Sequence, residues 1–243
     1  MFYESFIKKS SQPQIAVLID PEKSDAMRLK TLIAIAEACD VDWFFVGGST
    51  VKKEDFDSVV SCLKRNSSIS VVIFPGDSIQ INSQADAILF LSLVSGRNPE
   101  YLIGQQVKAS KKILDMNLPV IPTGYILVDG GKESATAKVT QTRSLSNKDE
   151  IVATAIAAEM MGMKAIYLEA GSGANQSVSL DIIAEVKNHC ISKLIVGGGI
   201  KTAKQASDII ATGADIIVIG NILEKDPEIL AQICREVKEV YRK

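Results

Sequence analysis

Residues 193–221 read KLIVGGGIKTAKQASDIIATGADIIVIGN, and the fold is decided in this stretch. Lys193–Val196 and Asp215–Ile219 are short, almost wholly apolar runs rich in Ile and Val, and Thr202–Thr212 between them has helical spacing. An apolar run without polar alternation reads as a parallel strand covered on both faces, and parallel neighbours need a crossover between them. The stretch is therefore a strand–helix–strand unit. Working outward, the same kind of run recurs at Gln14–Ile19, Trp43–Val46, Ser70–Phe74, Ala87–Leu91, Pro119–Pro122 and Ala165–Leu168. Helical spacing fits Ser24–Cys39, Lys52–Lys64, Glu100–Met116, Lys148–Met161, Ser179–Asn188 and Pro227–Tyr241. Ser24, Asn98, Asn147 and Asp226 stand where helix caps are expected. Eight such strands in 243 residues predict a single α/β domain over 1–243, a (β/α)8 TIM barrel.

Two segments depart from the repeat. Only PGDSIQINSQAD (75–86) separates the third and fourth strands, which predicts that the helix after the third strand is missing or vestigial. Thr123–Asn147, after the fifth strand, reads as a long Gly- and Thr-rich loop without helix, a kind of segment that is usually functional.

Composition narrows the function. With 27 basic and 29 acidic residues, a net charge near −2 and 47% apolar types, the chain is a globular protein and not a disordered one. Near-neutral charge argues against a nucleic-acid surface, which needs clustered Lys and Arg. No apolar run approaches the ~20 residues that span a bilayer, and the start MFYESFIKKS has no signal-peptide core, so a cytoplasmic protein without a permanent membrane anchor is expected. Cys39, Cys62, Cys190 and Cys234 are far apart and read as packing residues. His189 is the one histidine, which excludes a multi-His metal site and a His-containing triad.

The Gly-rich turns supply the first functional signal. Gly197, Gly198 and Gly199 follow the seventh strand, and Gly220 and Asn221 follow the eighth. Barrels that take phosphorylated ligands commonly hold the phosphate with these two loops, through backbone N–H groups and helix N-termini. The sixth strand ends in Tyr167-Leu168-Glu169-Ala170-Gly171-Ser172-Gly173, whose glycines and serine add donors. Glu169, a carboxylate beside an anion site, either orients substrate hydroxyls and takes a proton or pairs with a barrel lysine; its place at a strand's C-terminal end favours the former. Asp20 and Ser49, ending the first and second strands, fit Mg2+ that keeps water and phosphate ligands. Asp before Pro is equally a turn former, and spacing does not choose between the two.

LIDPEK, VGGS, IFPG, LSLVSGRNP, GYILVDGG, YLEAGSGA, VGGGI and IGN follow one another along nearly the whole chain. As an ordered set they resemble the geranylgeranylglyceryl phosphate synthase family, in its branch with bacterial and archaeal members. The resemblance implies a modified TIM barrel lacking its third helix. It implies a prenyltransferase that joins sn-glycerol 1-phosphate to a polyprenyl diphosphate, geranylgeranyl diphosphate foremost, and releases diphosphate in ether-lipid biosynthesis. By the same resemblance, Asp20 and Ser49 match Mg2+ positions, and Tyr167 through Gly173, Gly198, Gly199, Gly220 and Asn221 match the glycerol-phosphate site. Glu169 matches the glutamate that contacts the glycerol hydroxyls. A homo-oligomer and transient membrane contact accompany it.

The prenyl chain needs an apolar trough, for which Leu91–Val94, Tyr101, Ile103 and Tyr125–Val128 are candidates. Two other readings stand beside this one: another phosphate-binding barrel enzyme (a sugar- or indole-phosphate isomerase or lyase, or an FMN enzyme), and a non-catalytic barrel. Retention of Asp20, Ser49 and Glu169 together argues against the last.

Overall fold

The computed structural model describes residues 2–7 and 12–240. Eight parallel strands close into a barrel in sequence order: β1 Gln14–Ile19, β2 Trp43–Val46, β3 Ser70–Ile73, β4 Ala87–Leu93, β5 Val120–Leu127, β6 Ala165–Glu169, β7 Lys193–Gly197 and β8 Ile216–Ile219. Alternate residues sort into two apolar layers. Ala16, Phe45, Leu89, Tyr167 and Ile195 point inward and fill the barrel. Val17, Phe44, Ile88, Leu168 and Val196 point outward beneath the helices. Burial on both faces is why the strands lack polar alternation.

The helices are α1 Phe2–Ile7, α2 Ala26–Ala38, α3 Lys53–Asn66, α4 Gln105–Asp115, α5 Ala135–Thr140, α6 Lys148–Met160, α7 Leu180–His189, α8 Ala203–Thr212, α9 Asn221–Lys225 and α10 Ile229–Val240. Every long helix expected from the sequence is present. The expected Tyr241 end of the last one lies outside the described residues. Several starts show how sequence sets a boundary. The Asn147 side chain accepts from Glu150 N–H at the start of α6, and Thr202 does the same for Gln205 in α8. At α2 the cap is Asp25, one residue later than the expected Ser24, with its carboxylate accepting from both Met27 and Arg28 N–H groups. A carboxylate there also meets the positive end of the helix dipole, which a serine does not.

Between β3 and β4 there is no helix, as expected, and these two strands pair over only Val72↔Ala87 and Ile73↔Ile88. The segment after the fifth strand corrects the sequence reading. β5 runs on to Leu127, and 135–140 is a helix, α5, capped by Ser134 accepting from Ala137 N–H. Its Gly and Thr content hid a turn and a half of helix that is held by tertiary contacts more than by propensity. A further element, α1, has no clear period in the sequence. Phe6 is fully buried against Trp43 and Phe45, at ring-centroid distances of 5.1 and 6.5 Å, among the residues that fill the barrel.

Candidate active site

The C-terminal ends of the strands surround two clefts that share one wall. The polar cleft is lined by Asp20 after β1, Gly48 and Ser49 after β2, Tyr167 and Glu169 of β6, Gly198 and Gly199 after β7, and Gly220 and Asn221 after β8. The second cleft is apolar and runs down the side of the barrel where the helix after β3 is missing. Phe74, Ile81, Ile88, Leu91, Ala109 and Ile113 are among its walls. Gly48, Ser49, Phe74, Tyr125 and Thr136 line both, so the clefts meet there.

Glu169 lies at the floor of the polar cleft, 5% exposed. Burial raises its pKa from 4.5 to about 7, against the lowering effect of the Gly171 N–H, which donates to Oε1 at 2.7 Å, and of the Tyr167 hydroxyl. At neutral pH this carboxyl is divided between its two forms, the condition for a general base. The Tyr167 hydroxyl is fully buried beside it, without a conventional hydrogen bond of its own. Burial and the nearby Glu169 hold the Tyr167 and Tyr125 phenols well above their usual pKa, so both remain O–H donors. Phe74, Tyr125 and Tyr167 form a ring cluster with centroids 5.2 to 5.7 Å apart at the junction of the clefts.

The triple glycine has a second reason to lack side chains. A Cβ on Gly197 would stand 2.4 Å from the Tyr167 hydroxyl, and one on Gly198 2.4 Å from Glu169 Oε1. Gly198 also has φ +80°, a left-handed conformation that side chains resist. The bare turn thus makes room for the functional groups of the neighbouring strand. After β8, α9 begins at Asn221 with no side-chain cap, and its Leu223 N–H donates to the Gly220 carbonyl oxygen at 2.8 Å; α8, in contrast, is capped by its own Thr202. Asn221 is held by Ser172, whose hydroxyl donates to Asn221 Oδ1 at 2.8 Å.

The other expected residues are sorted by strand direction. Leu168 and Ala170 face the helical layer, so they approach the cleft only through their backbone. The N–H of Gly171 is taken by Glu169. Ser172 and Gly173 line the cleft. Asp20 and Ser49 both line it, and one Asp20 oxygen accepts from the Glu22 N–H while the other is 3.2 Å from the Lys23 ammonium. Lys23 also reaches Glu224 of α9 at 3.3 Å. Partial burial opposes its charge, but the two carboxylates raise its pKa. Lys23 and Glu224 were not anticipated, because nothing in the linear sequence brings the first and last loops together.

Of the expected trough residues, Leu91, Leu93, Tyr101 and Tyr125 line the apolar cleft. Val94, Ile126 and Val128 are buried among the helices, Leu127 fills the barrel, and Ile103 is 57% exposed. Phe74, Ile81, Ala109 and Ile113 were missed; the i, i+4 spacing of Ala109 and Ile113 on α4 is a signal for those two, while Phe74 and Ile81 flank an irregular Pro- and Gly-containing loop that gives none. His189 ends α7 at the surface with Nδ1 2.9 Å from the Glu185 carbonyl oxygen, away from both clefts. All four cysteines are free thiols, with Cys190 and Cys234 buried. Among the described residues no helix is long and apolar enough to cross a membrane.

A closed parallel barrel with Gly-rich turns after β7 and β8 and a buried carboxyl at the end of β6 is a TIM barrel, here with an apolar side cleft beside its mouth. The chain belongs to the PcrB family, whose profile matches residues 8–241. It is 42% identical to the geranylgeranylglyceryl phosphate synthase of Spirosoma linguale, over 96% of this chain and 94% of that one. It is 36% identical to the Korarchaeum cryptofilum protein of the same name over the full length of both. The crystal structure of (S)-3-O-geranylgeranylglyceryl phosphate synthase from Thermoplasma acidophilum, in complex with its substrate sn-glycerol-1-phosphate, superimposes with a TM-score of 0.92 at 31% identity, covering 98% of each chain. Thiamine phosphate pyrophosphorylase from Pyrococcus furiosus, at 12% identity and a TM-score of 0.61, shares the fold alone. The resemblance read from the ordered motifs is borne out.

Proposed function

We infer that the protein is a prenyltransferase of ether-lipid biosynthesis that joins sn-glycerol 1-phosphate to a polyprenyl diphosphate. The observation that carries this reading is the meeting of the polar, carboxyl-floored cleft with the apolar one at Ser49, Phe74 and Tyr125. A sugar-phosphate isomerase needs the first cleft and has no use for the second.

The residues divide the work as follows. Backbone N–H groups around Gly198, Gly199, Gly220 and Asn221 grip the glycerol phosphate, and Tyr167 donates to it or to the adjoining hydroxyl. Gripping the phosphate places the free glycerol hydroxyl over Glu169. The hydroxyl oxygen forms a bond to the allylic carbon as the carbon–oxygen bond to diphosphate breaks. The bonding pair leaves with diphosphate, and the hydroxyl proton passes to Glu169. The apolar cleft holds the prenyl chain, and the rings of Phe74 and Tyr125 keep water from the reacting carbon.

Mg2+ fits the donor set. Asp20 and Ser49 offer only oxygen and both line the polar cleft, the donor type a hard cation with water and phosphate ligands takes; the Lys23 ammonium, 3.2 Å from Asp20, would give way to it. Asp20 and Ser49 would hold it, and bound there it would neutralise charge on the leaving diphosphate. We also propose a homo-oligomer, supported by the exposed Ile103 just before α4 and Val107 and Leu114 on it, with light scattering as its test.

The deciding experiment mixes purified protein, Mg2+, labelled sn-glycerol 1-phosphate and prenyl diphosphates of graded length. A prenylglyceryl phosphate is the expected product; none with any donor length would refute the reading. A colourless preparation separates it from a flavin enzyme.

A further inference from the structure

The loop between β3 and β4 walls both clefts, yet it has no helix behind it. Its outer parts are tied to the flanking helices. The Asn82 amide donates to Asp57 of α3 at 2.7 Å, and the Ser78 N–H donates to Gln105 Oε1 of α4 at 2.7 Å. Its inner part lies directly on the turn that carries Ser49. A Cβ on Gly47 would fall 1.7 Å from the Phe74 carbonyl oxygen, and one on Gly76 would fall 2.2 Å from the Gly48 carbonyl oxygen. VGGS and FPG are thus two backbones in direct contact, packed with no side chain between them.

Gln80 joins these two backbones. Its side-chain amide accepts from the Gly76 N–H at 3.0 Å and donates to the Gly48 carbonyl oxygen at 2.8 Å. The residue is fully buried and its own N–H donates to the Asp77 carbonyl oxygen at 3.1 Å. Gly48 and Ser49 line the junction of the clefts, and Gln80 stands behind them. A buried amide with donor and acceptor both used fixes its partners to within a few tenths of an ångström, because any shift leaves an unpaired buried group.

We propose that Gln80 is a positioning residue for prenyl-donor binding: by pinning the Gly48 carbonyl to the Gly76 amide, it holds the Ser49 hydroxyl where the diphosphate end of the donor arrives. The proposal rests on the prenyl-transfer reading above. It assigns to one side chain the support that a helix after β3 gives elsewhere in the barrel. Glycerol phosphate is gripped on the opposite side of the mouth, by the turns after β7 and β8, so its binding is independent of Gln80.

The test is a double-mutant cycle on the full chain with Q80L, S49A and the combined variant. Two readouts are taken: the KM of each substrate, and calorimetric binding of geranylgeranyl diphosphate with Mg2+ in the absence of glycerol phosphate. Q80L removes both side-chain hydrogen bonds and is expected to weaken donor binding about tenfold or more, and to leave the glycerol-phosphate KM within about twofold. In the S49A background the same change should add less than about twofold, since residues acting as a unit are not additive. Should Q80L not fold, Q80E supplies the cycle. It keeps an acceptor for Gly76 and opposes a carboxylate oxygen to the Gly48 carbonyl, with the same one-sided loss expected. Equal weakening of both substrates, or an undiminished effect of the Gln80 change in the S49A background, would overturn the proposal. A wild-type protein that neither binds the donor nor forms product would overturn the functional reading itself, whereas a working wild type with an additive cycle removes only Gln80.

Discussion

Glu169→Gln should yield a protein that is slower and, above neutral pH, more stable. The side chain is almost fully buried, and burial lifts its pKa from 4.5 to about 7. A carboxyl with a higher pKa in the folded state than in the unfolded chain binds more protons when folded, so stability is full below about 4.5 and declines as pH rises to about 7. Each pKa unit is worth about 1.4 kcal/mol, so by pH 8 the wild type has lost about 3 kcal/mol to this one group. Glutamine is isosteric, keeps an oxygen for the Gly171 N–H and does not ionise, so the variant avoids that loss. Urea unfolding of both proteins at pH 5 and pH 8 reads the difference directly. Glu169→Gln should gain about 2 to 3 kcal/mol over wild type at pH 8 relative to pH 5, while its turnover falls about 10²- to 10⁴-fold through loss of the base. A stability difference that does not change with pH would refute the buried-carboxyl argument. A variant with wild-type turnover would remove the base.

Other perturbations bear on the rest of the site. Asp20→Asn should raise the half-saturating Mg2+ concentration severalfold in the activity assay; an unaltered titration would refute the metal assignment. Gly198→Ala puts a Cβ 2.4 Å from Glu169 Oε1 at φ +80°, and should cost about 1–3 kcal/mol in unfolding experiments while raising the glycerol-phosphate KM. Ala109→Phe should fill the apolar cleft, so that product from the longest donors disappears while product from the shortest persists; chromatography of the products reads this, and an unchanged length profile would mean the chain lies elsewhere.

The reading of Thr123–Asn147 shows where one-dimensional inference ends. Strand residues announce themselves because burial on both faces excludes polar types, and the strand starts at Gln14, Trp43, Ser70 and Ala87 were legible to the residue. A six-residue helix such as α5 has too few turns for its period to register, and its stability comes from docking Ala137 and Thr140 into the fold. Similarly, Leu168 and Ala170 sit in the same motif as Glu169, yet only alternation within a placed strand turns them toward the helices.

Taken alone, the chain determined the number and order of the strands, the absence of a helix after the third, and the positions of the Gly-rich turns, Asp20, Ser49 and Glu169. These follow from local chemistry: side-chain polarity, backbone freedom and the crossover length parallel strands require. Only the tertiary structure decided that Lys23 bridges Asp20 and Glu224, that Gln80 clamps two loops, and that Gly197 and Gly198 are bare to admit Tyr167 and Glu169. Closing the barrel brings the first loop against the last and each strand end against its neighbours, and a contact made by closure leaves no periodic trace in the sequence.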